Sequence, residues 1–381
     1  MGLFVEYHLI QNFAPANLNR DDTGAPKDAI FGGHRRARVS SQCFKRAIRL
    51  QAAETNAIPP EFRGVRTKKL AKLLGEELKA LNRSEAADKI EVALAGVGLR
   101  LDEKRDTEYL LFLGRQEVAA LAALIDRHWD ALRPQPAGDG KKRTKKEGKA
   151  GVPEELLKEA KKLLDGGKAV DVALFGRMLA DQPALNQDAA CQVAHALSTH
   201  KVDREFDYFT AVDDEGEVDE TGAGMIGQVE FNSATLYRYA VIDPNKLTRN
   251  LHDDPELVLT SLGAFTRAMV MAIPTGKQNT FAAHNPPSFA GVVLRHSSPF
   301  NLANAFERPV WPKADRELTA LSVEKLAEHD AKIASFYGDG RDAWAYLDMT
   351  GAWPQAKGTA VPNLDALVAW VKDTVRGELW S

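Results

Sequence analysis

Cysteine is scarce. Cys43 and Cys191 are the only two in 381 residues, they stand in unrelated contexts, and neither belongs to a CxxC. That count argues against a secreted disulfide framework and a zinc knuckle, and a reducing cytoplasm is the expected location. Long apolar runs are missing as well: the longest, VAALAALI at 118–125, falls far short of the roughly 18 residues that span a bilayer. The start, MGLFVEYHLIQNF, is read as having no basic n-region, no cleavage site and no hydroxyl residue at position 6 for myristoylation, so no membrane role is expected. There is no Walker motif, no HExxH and no internal repeat.

What is present is sorted charge. The hydrophobic fraction of 44% and charged fraction of 27% are those of an ordinary folded chain, long enough for a substantial core and a second lobe. A net charge of −3 conceals patches. Residues 18–49, LNRDDTGAPKDAIFGGHRRARVSSQCFKRAIR, hold eight Lys or Arg against three Asp. KKRTKKEGK at 141–149 holds six basic residues against one acidic, and DDEGEVDE at 213–220 holds six acidic and no basic. For a polyanion site the patch matters, and the total does not.

LFVEYHLI at 3–10 reads as a strand, apolar on both faces and therefore central in a sheet. Residues 18–39, with Gly24, Pro26, Gly32 and Gly33, read as a loop. Ser40 or Ser41 caps a helix with Phe44, Ala47 and Ile48 inward and Gln42, Lys45, Arg46 and Arg49 outward. Helical spacing fills 66–133, 133–153 breaks every periodic pattern, VDVALFGRMLA at 170–180 reads as a strand, and 203–230 is a polar, Gly-rich excursion. VEFNSATLYRYAVI and FAGVVLR read as strands, while LVLTSLGAFTRAMVMAIP, VEKLAEHDAKIASFY and NLDALVAWVKDTV read as helices. The class is α+β, and pattern alone leaves several sheet types open.

A Gly-Gly beside RRAR lets backbone approach a ligand and sets guanidiniums next to it, and Lys45, Arg46 and Arg49 extend the line. The hydroxyls of Ser40 and Ser41 at a helix start favour a phosphate. Two readings stand side by side: a solvated basic face, or a path for several phosphates.

The run NLNRDDTGAPKDAIFGGHRRARVSSQCFKRAIR closely resembles the amino-terminal signature of the backbone, CasC-like subunit of the type I-E CRISPR surveillance complex called Cascade, the repeated subunit that carries the guide RNA. VDVALFGRM, AHALSTHKVDREFDYFTAVDD, EFNSATLYRYA, KQNTFAAHNP and LANAFERPV continue the resemblance in order. It implies a modified RNA-recognition, ferredoxin-like palm with a helical fingers insertion and an extended hairpin thumb. The implied boundaries are 1–60 for the first part of the palm, 61–169 for the fingers with a basic loop at 138–150, 170–197 for palm, 198–232 for the thumb, and 233–381 for the remaining palm and C-terminal helices. It further implies a non-catalytic, cytoplasmic ribonucleoprotein subunit in antiviral defence. Its partners would be guide RNA, target DNA, further copies head to tail and other Cascade subunits, with no cofactor or metal.

On this sequence the resemblance places Asn19, Arg20, Lys27, Gly32, Gly33, Arg38, Ser40, Gln42, Lys45, Arg46, Arg49 and Lys277 along the RNA backbone. Gly32 and Gly33 give clearance, Ser40 and Gln42 give uncharged hydrogen bonds, and the basic residues give charge, so the RNA is positioned without its bases being read. Gly222, Gly224 and Gly227 would turn the thumb. Phe209 would stack on a displaced base and Met178 would pack beside the kink, with a core role as the alternative for each. Lys141, Lys142, Arg143, Lys145 and Lys146 would face target DNA or simply be solvated. The acidic run would face solvent or a basic surface of the next copy.

Two other readings are carried. One is a guide-precursor-processing endoribonuclease using His8, or His34 with Lys27 and Asp28, although no paired acid and base is visible beside His8. The other is an RNA-independent self-assembling protein, which leaves the cationic stretch unexplained. His195 and His200, followed by Asp213 and Asp214, have no metal-ligand spacing and are expected to be structural or RNA contacts.

Overall fold

Strand β1 (Phe4–Ala16) is central in its sheet, with antiparallel neighbours along both edges, Phe289–Arg295 on one side and Met225–Ile242 on the other, and its residues 5–11 are buried on both faces. The sheet continues outward in the order Thr359–Ala360, Ala343–Asp348, Phe289–Arg295, β1, Met225–Ile242, Ala196–Ser198, His34–Val39, Asp28–Phe31. Thr359–Ala360 pairs in parallel, so this α+β fold has a mixed sheet. This computed structural model describes residues 2–133, 152–164, 167–178, 186–211, 225–338 and 340–380. Lys141, Lys142, Arg143, Lys145, Lys146, the acidic run 213–220 and Gly222 and Gly224 lie outside the described residues.

Residues two apart on β1 share a face. Tyr7 and Leu9, with Arg238 opposite Leu9, lie under helix α1 (Ser41–Glu54) and residues 262–271 of the helix Pro255–Met271. There the Tyr7 hydroxyl meets Thr266 Oγ1 at 2.8 Å, its ring stands edge-on to Phe265, and the Arg238 guanidinium lies 4.1 Å from the Phe44 ring centre. The other face carries Glu6, His8 and Ile10. Its apolar cover joins Ile10, Tyr237 and Tyr239 to Leu302, Phe306, Leu326 and Trp344, from the turn Leu302–Phe306, the helix Leu318–Tyr337 and the next strand.

The chain divides into two units. The sheet unit holds 1–55, 192–244 and 262–381, and the second holds 56–191 and 245–261. Residues 170–191 and 245–261 thus pack in the second unit, whereas the sequence boundaries group them with the sheet. The second unit is mostly helical: Leu70–Ala80, Ala87–Gly96, Arg115–Arg127, Glu154–Leu163 and Val170–Phe175, with a ribbon of Gly64–Thr67 and Leu111–Gly114. Leu70, Leu74 and Leu78, one helical turn apart, enter one core with Leu121, Ile125 and Leu156.

Three local expectations are corrected. Leu111–Gly114, inside the stretch 66–133 read as helical, is a strand paired with Gly64–Thr67, since a run of four apolar residues has no helical period of its own. VDVALFGRMLA contains the helix Val170–Phe175 and not a strand, because a short wholly buried apolar run has no period to distinguish the two. The 18–39 stretch is not all loop: β2 (Asp28–Phe31) and β3 (His34–Val39) form a hairpin through Gly32 and Gly33, whose φ values of +57° and +77° are those a two-residue turn of this kind demands. The letters GAGMIG at 222–227 have the spacing of a dinucleotide fingerprint. The last three, Met225 to Gly227, belong to the strand Met225–Ile242, whereas that fingerprint needs a helix to start there.

Gly32 also packs tightly. A Cβ there would stand 1.8 Å from the Glu307 carbonyl oxygen, whereas at Gly33 it would meet nothing within 4 Å. Gly32→Ala is expected to cost about 2 kcal/mol or more, left-handed strain adding to the clash, while Gly33→Asn costs under about 0.5 kcal/mol. Urea unfolding of the two variants checks the difference.

Candidate nucleic-acid interface

Asp21 organises the loop between β1 and β2. Its Oδ1 accepts from the Thr23 hydroxyl at 2.7 Å and from the Thr23 and Ala25 backbone N–H groups at 2.9 and 3.0 Å. The Thr23 hydroxyl leads in holding this carboxyl below its ordinary range. The loop forms one wall of an open groove of about 520 Å³, lined by Asn19, Arg20, Asp21 and Asp22, with Cys43 and Arg46 of α1 and Pro274 to Gly276 on other sides. Gly276 permits the close contact of two walls: a Cβ there would lie 2.3 Å from the Leu18 carbonyl oxygen. Lys277 follows directly, with φ +50°, at the start of the short helix Gln278–Phe281.

Ser40 caps α1 by accepting from Cys43 N at 3.3 Å, and the stripe Phe44, Ala47, Ile48 and Ala52 is buried. Gln42, Lys45, Arg46 and Arg49, at helical spacing, share the other face; Gln42 and Arg46 are exposed, Lys45 and Arg49 half-buried. Burial pushes the Cys43 thiol up, against the opposing pull of Arg46 and then Lys27. Behind the helix, Arg238 is buried without a carboxylate: it donates to Gln11 Oε1 and to the Met269 carbonyl at 2.6 Å each, and burial pushes it down to about 9. It therefore ties α1, through Phe44, to the end of the helix that leads into the 274–277 wall.

Asn19, Arg20 and Arg46 thus meet on one groove, with Lys27 close to Cys43 and the α1 face beside it. Other expected contacts are occupied by the fold. Asn19 Oδ1 accepts from Ser40 N at 2.9 Å, the Ser40 hydroxyl is the helix cap, and Gly32 faces Glu307. Arg38 donates to the Asp28 carbonyl and to His195 Nδ1, each at 3.1 Å. Within RRAR, Arg36 is buried and donates to the carbonyls of Ser198, Phe306 and Glu307, and Arg35 pairs with Asp28. Asp28 also meets Arg204 at 3.0 Å, which reaches Glu230 at 3.2 Å.

The strand Glu205–Ala211 pairs with residues 225–231, so the excursion at 203–230 contains a β-hairpin. Gly227 lies in a strand opposite Phe209, and is not a turn residue. Phe209 is 40% exposed, less than its neighbours Phe206 at 55% and Tyr208 at 72% on the other face. Sequence reasoning passed over these two, although the alternation in EFDYFTA could have signalled them. In the second unit Met178 is 84% exposed, next to Arg177, which is buried on Glu117 at 2.9 Å.

His8 and His200 are both engaged within the fold. His8 is fully buried, its Nδ1 2.9 Å from the Tyr237 hydroxyl and its Nε2 3.4 Å from Glu6. His200 Nδ1 donates to the Lys201 carbonyl at 2.8 Å and Nε2 accepts from Thr235 N at 3.1 Å, which fixes one neutral tautomer. Burial first, with Arg36 adding, lowers its affinity for a proton despite the Lys201 bond. A folded-state histidine below its unfolded value of about 6.5 leaves stability intact above that pH and erodes it as pH falls beneath. Wild type is therefore expected to lose stability more steeply than His200→Gln between about pH 6.5 and 5, checked by melting temperature against pH. His195 is lowered by burial, then by Arg38 and Lys27, and its slope is common to both proteins.

Among the described residues no group of His, Cys, Asp or Glu could hold a metal ion, and no helix is long and apolar enough to cross a membrane. No curated protein sequence matches the chain. The family model described as CT1975-like protein matches residues 5–370. The chain belongs to this CT1975-like family of Cas proteins. A chain of a CRISPR RNA-guided surveillance complex, pre-nicking, is similar at 30% identity and a TM-score of 0.79, over 97% of this chain and 100% of that one. A chain of another CRISPR RNA-guided surveillance complex is similar at 25% identity and a TM-score of 0.71, over 96% and 99%. The Cas family match thus takes in the groove, the hairpin and the helical unit alike.

Proposed function

We propose that this Cas protein is the non-catalytic, guide-RNA-carrying backbone subunit of a type I-E, Cascade-like complex, which packs head to tail with further copies and holds the guide for pairing with target DNA. The observation that carries the reading is the groove, with Arg20 and Arg46 on its walls and the cationic face of α1 beside it, in a chain similar to subunits of CRISPR RNA-guided complexes.

Sheet order supports the ferredoxin-like part. Numbered in chain order as β1, Ala196–Ser198, Met225–Ile242 and Phe289–Arg295, the four strands of the antiparallel core lie side by side as fourth, first, third, second, with α1 and Pro255–Met271 as the two connecting helices on one face. An RNA-recognition domain reads bases with aromatics on its open face. Here that face is buried beneath Leu302–Phe306 and Leu318–Tyr337. Contact through the loops and α1 remains, which suits a carrier of arbitrary guides. The hairpin at 205–231 is the proposed thumb.

The nuclease reading is weaker on geometry. A general base must reach a 2′-hydroxyl; His8 is fully buried, and Asp28 pairs opposite Ala37, at the other end of the hairpin from His34, with its carboxylate held by Arg35 and Arg204. The test is co-expression with a CRISPR array and the other complex subunits, followed by sequencing and footprinting of the RNA that co-purifies. A guide of uniform length protected at a regular short period is expected. Absence of RNA would favour the self-assembling protein, and progressively shortened RNA the nuclease.

A further inference from the structure

Gly227 occupies an unusual place for a glycine. It sits inside the strand Met225–Ile242, directly across from Phe209, with no need of a left-handed backbone. Glycine inside a strand is weaker than alanine there, so its presence calls for a local reason. The reason is the ring. A Cβ on Gly227 would stand 2.2 Å from the Phe209 ring tip and 2.7 and 2.8 Å from the two flanking ring carbons. The Phe209 ring therefore lies flat on bare backbone, in the manner by which a cross-strand aromatic covers a glycine. Phe206 and Tyr208, on the opposite face, have Glu230 and Gln228 as cross-strand partners and no such floor.

We propose that Gly227 is a positioning residue for RNA binding: its missing side chain sets the height and tilt of the Phe209 ring, and any side chain at 227 lifts the ring out of its stacking position. The proposal rests on the reading of Phe209 as the group that meets a displaced guide base. The alanine backbone is allowed at 227, so the fold tolerates the change while the ring does not.

The test compares Phe209→Ala, Gly227→Ala and the double variant in the assembled complex, by the rate at which labelled guide RNA is released into excess unlabelled RNA. Phe209→Ala is expected to speed release about tenfold or more, in the range of a lost base–aromatic stack. Gly227→Ala alone is expected to approach that effect, and to add nothing once Phe209 is already alanine, because the two act through one ring. Additive effects, or a Gly227→Ala variant that releases guide at the wild-type rate while Phe209→Ala releases it faster, would overturn the proposal. A wild-type rate in Phe209→Ala itself would instead overturn the stacking role on which it rests. The melting temperature of Gly227→Ala is expected to match or exceed wild type. Should it fall, removal of the ring in the double variant must restore it, and failure to do so counts against the clash.

Discussion

Arg295→Met is expected to destabilise the protein by about 3–5 kcal/mol, the cost of leaving buried carboxylates without their cation. Arg295 Nε lies 2.6 Å from Glu6, Nη1 lies 2.6 Å from Asp342, and Nη2 lies 3.4 Å from Asp330. The Arg295 side chain is 1% exposed and the Glu6 side chain 0%. Burial alone would raise the Glu6 carboxyl, but His8 and Arg295 together hold it below its ordinary value. Burial likewise works against the Arg295 charge, and Glu6, Asp342 and Asp330 more than offset it. Methionine fills similar space and answers none of these carboxylates. Lys357 meets Asp330 but leaves Glu6 to His8, the Tyr239 hydroxyl and the Phe300 backbone N–H.

The pH dependence follows with a definite sign. In wild type a lowered Glu6 contributes stability that is present above its unfolded value of about 4.5 and lost as pH falls through the folded one. In Arg295→Met the Glu6 carboxyl, without its guanidinium, takes up a proton more readily, so the penalty is largest at neutral pH and shrinks toward pH 5. Urea unfolding at pH 7.5 and pH 5 measures both, and Glu6→Gln added to Arg295→Met should recover part of the loss. A deficit under about 1 kcal/mol at pH 7.5 would mean that the charge cluster contributes little cohesion.

Lys45→Ala with Arg49→Ala is expected to weaken guide retention about tenfold to a hundredfold at moderate salt. Single-stranded nucleic acid loses about 0.7 from the slope of log affinity against log salt for each phosphate contact removed, so the double variant should lose about 1.4. Gln42→Ala supplies the contrast: a lost uncharged hydrogen bond lowers affinity with the slope unchanged. Unchanged retention in the charge variant would place the RNA elsewhere on the chain.

Much of the α1 face was legible because helical spacing states which residues point outward before any tertiary contact exists. Gln42, Lys45, Arg46 and Arg49 turn away from the sheet for the same reason that Phe44, Ala47 and Ile48 turn toward it. RRAR was less legible. Its alternation on β3 is visible only once the hairpin is recognised, and composition says nothing of Arg36 ending among three carbonyls. Gly32 and Gly227 carry the same lesson. Each was assigned to clearance or turning, and each proved to face a specific neighbour, the Glu307 carbonyl and the Phe209 ring, far away in sequence or across a strand.

By itself the sequence determined the α+β class, the central first strand, the three helices within 66–133 but not the strand Leu111–Gly114 among them, the capped cationic helix and the resemblance to a CRISPR backbone subunit, since these rest on local period, capping chemistry and ordered motifs. Tertiary structure alone decided which charges remain at the surface. Glu6 and His8 meet Arg295 from 289 residues further along the chain, Arg238 locks α1 from behind, and Asp28 draws in Arg35 and Arg204. The physical reason is that a charge is buried or exposed according to partners brought up by strand pairing over hundreds of residues, and no local pattern records that pairing.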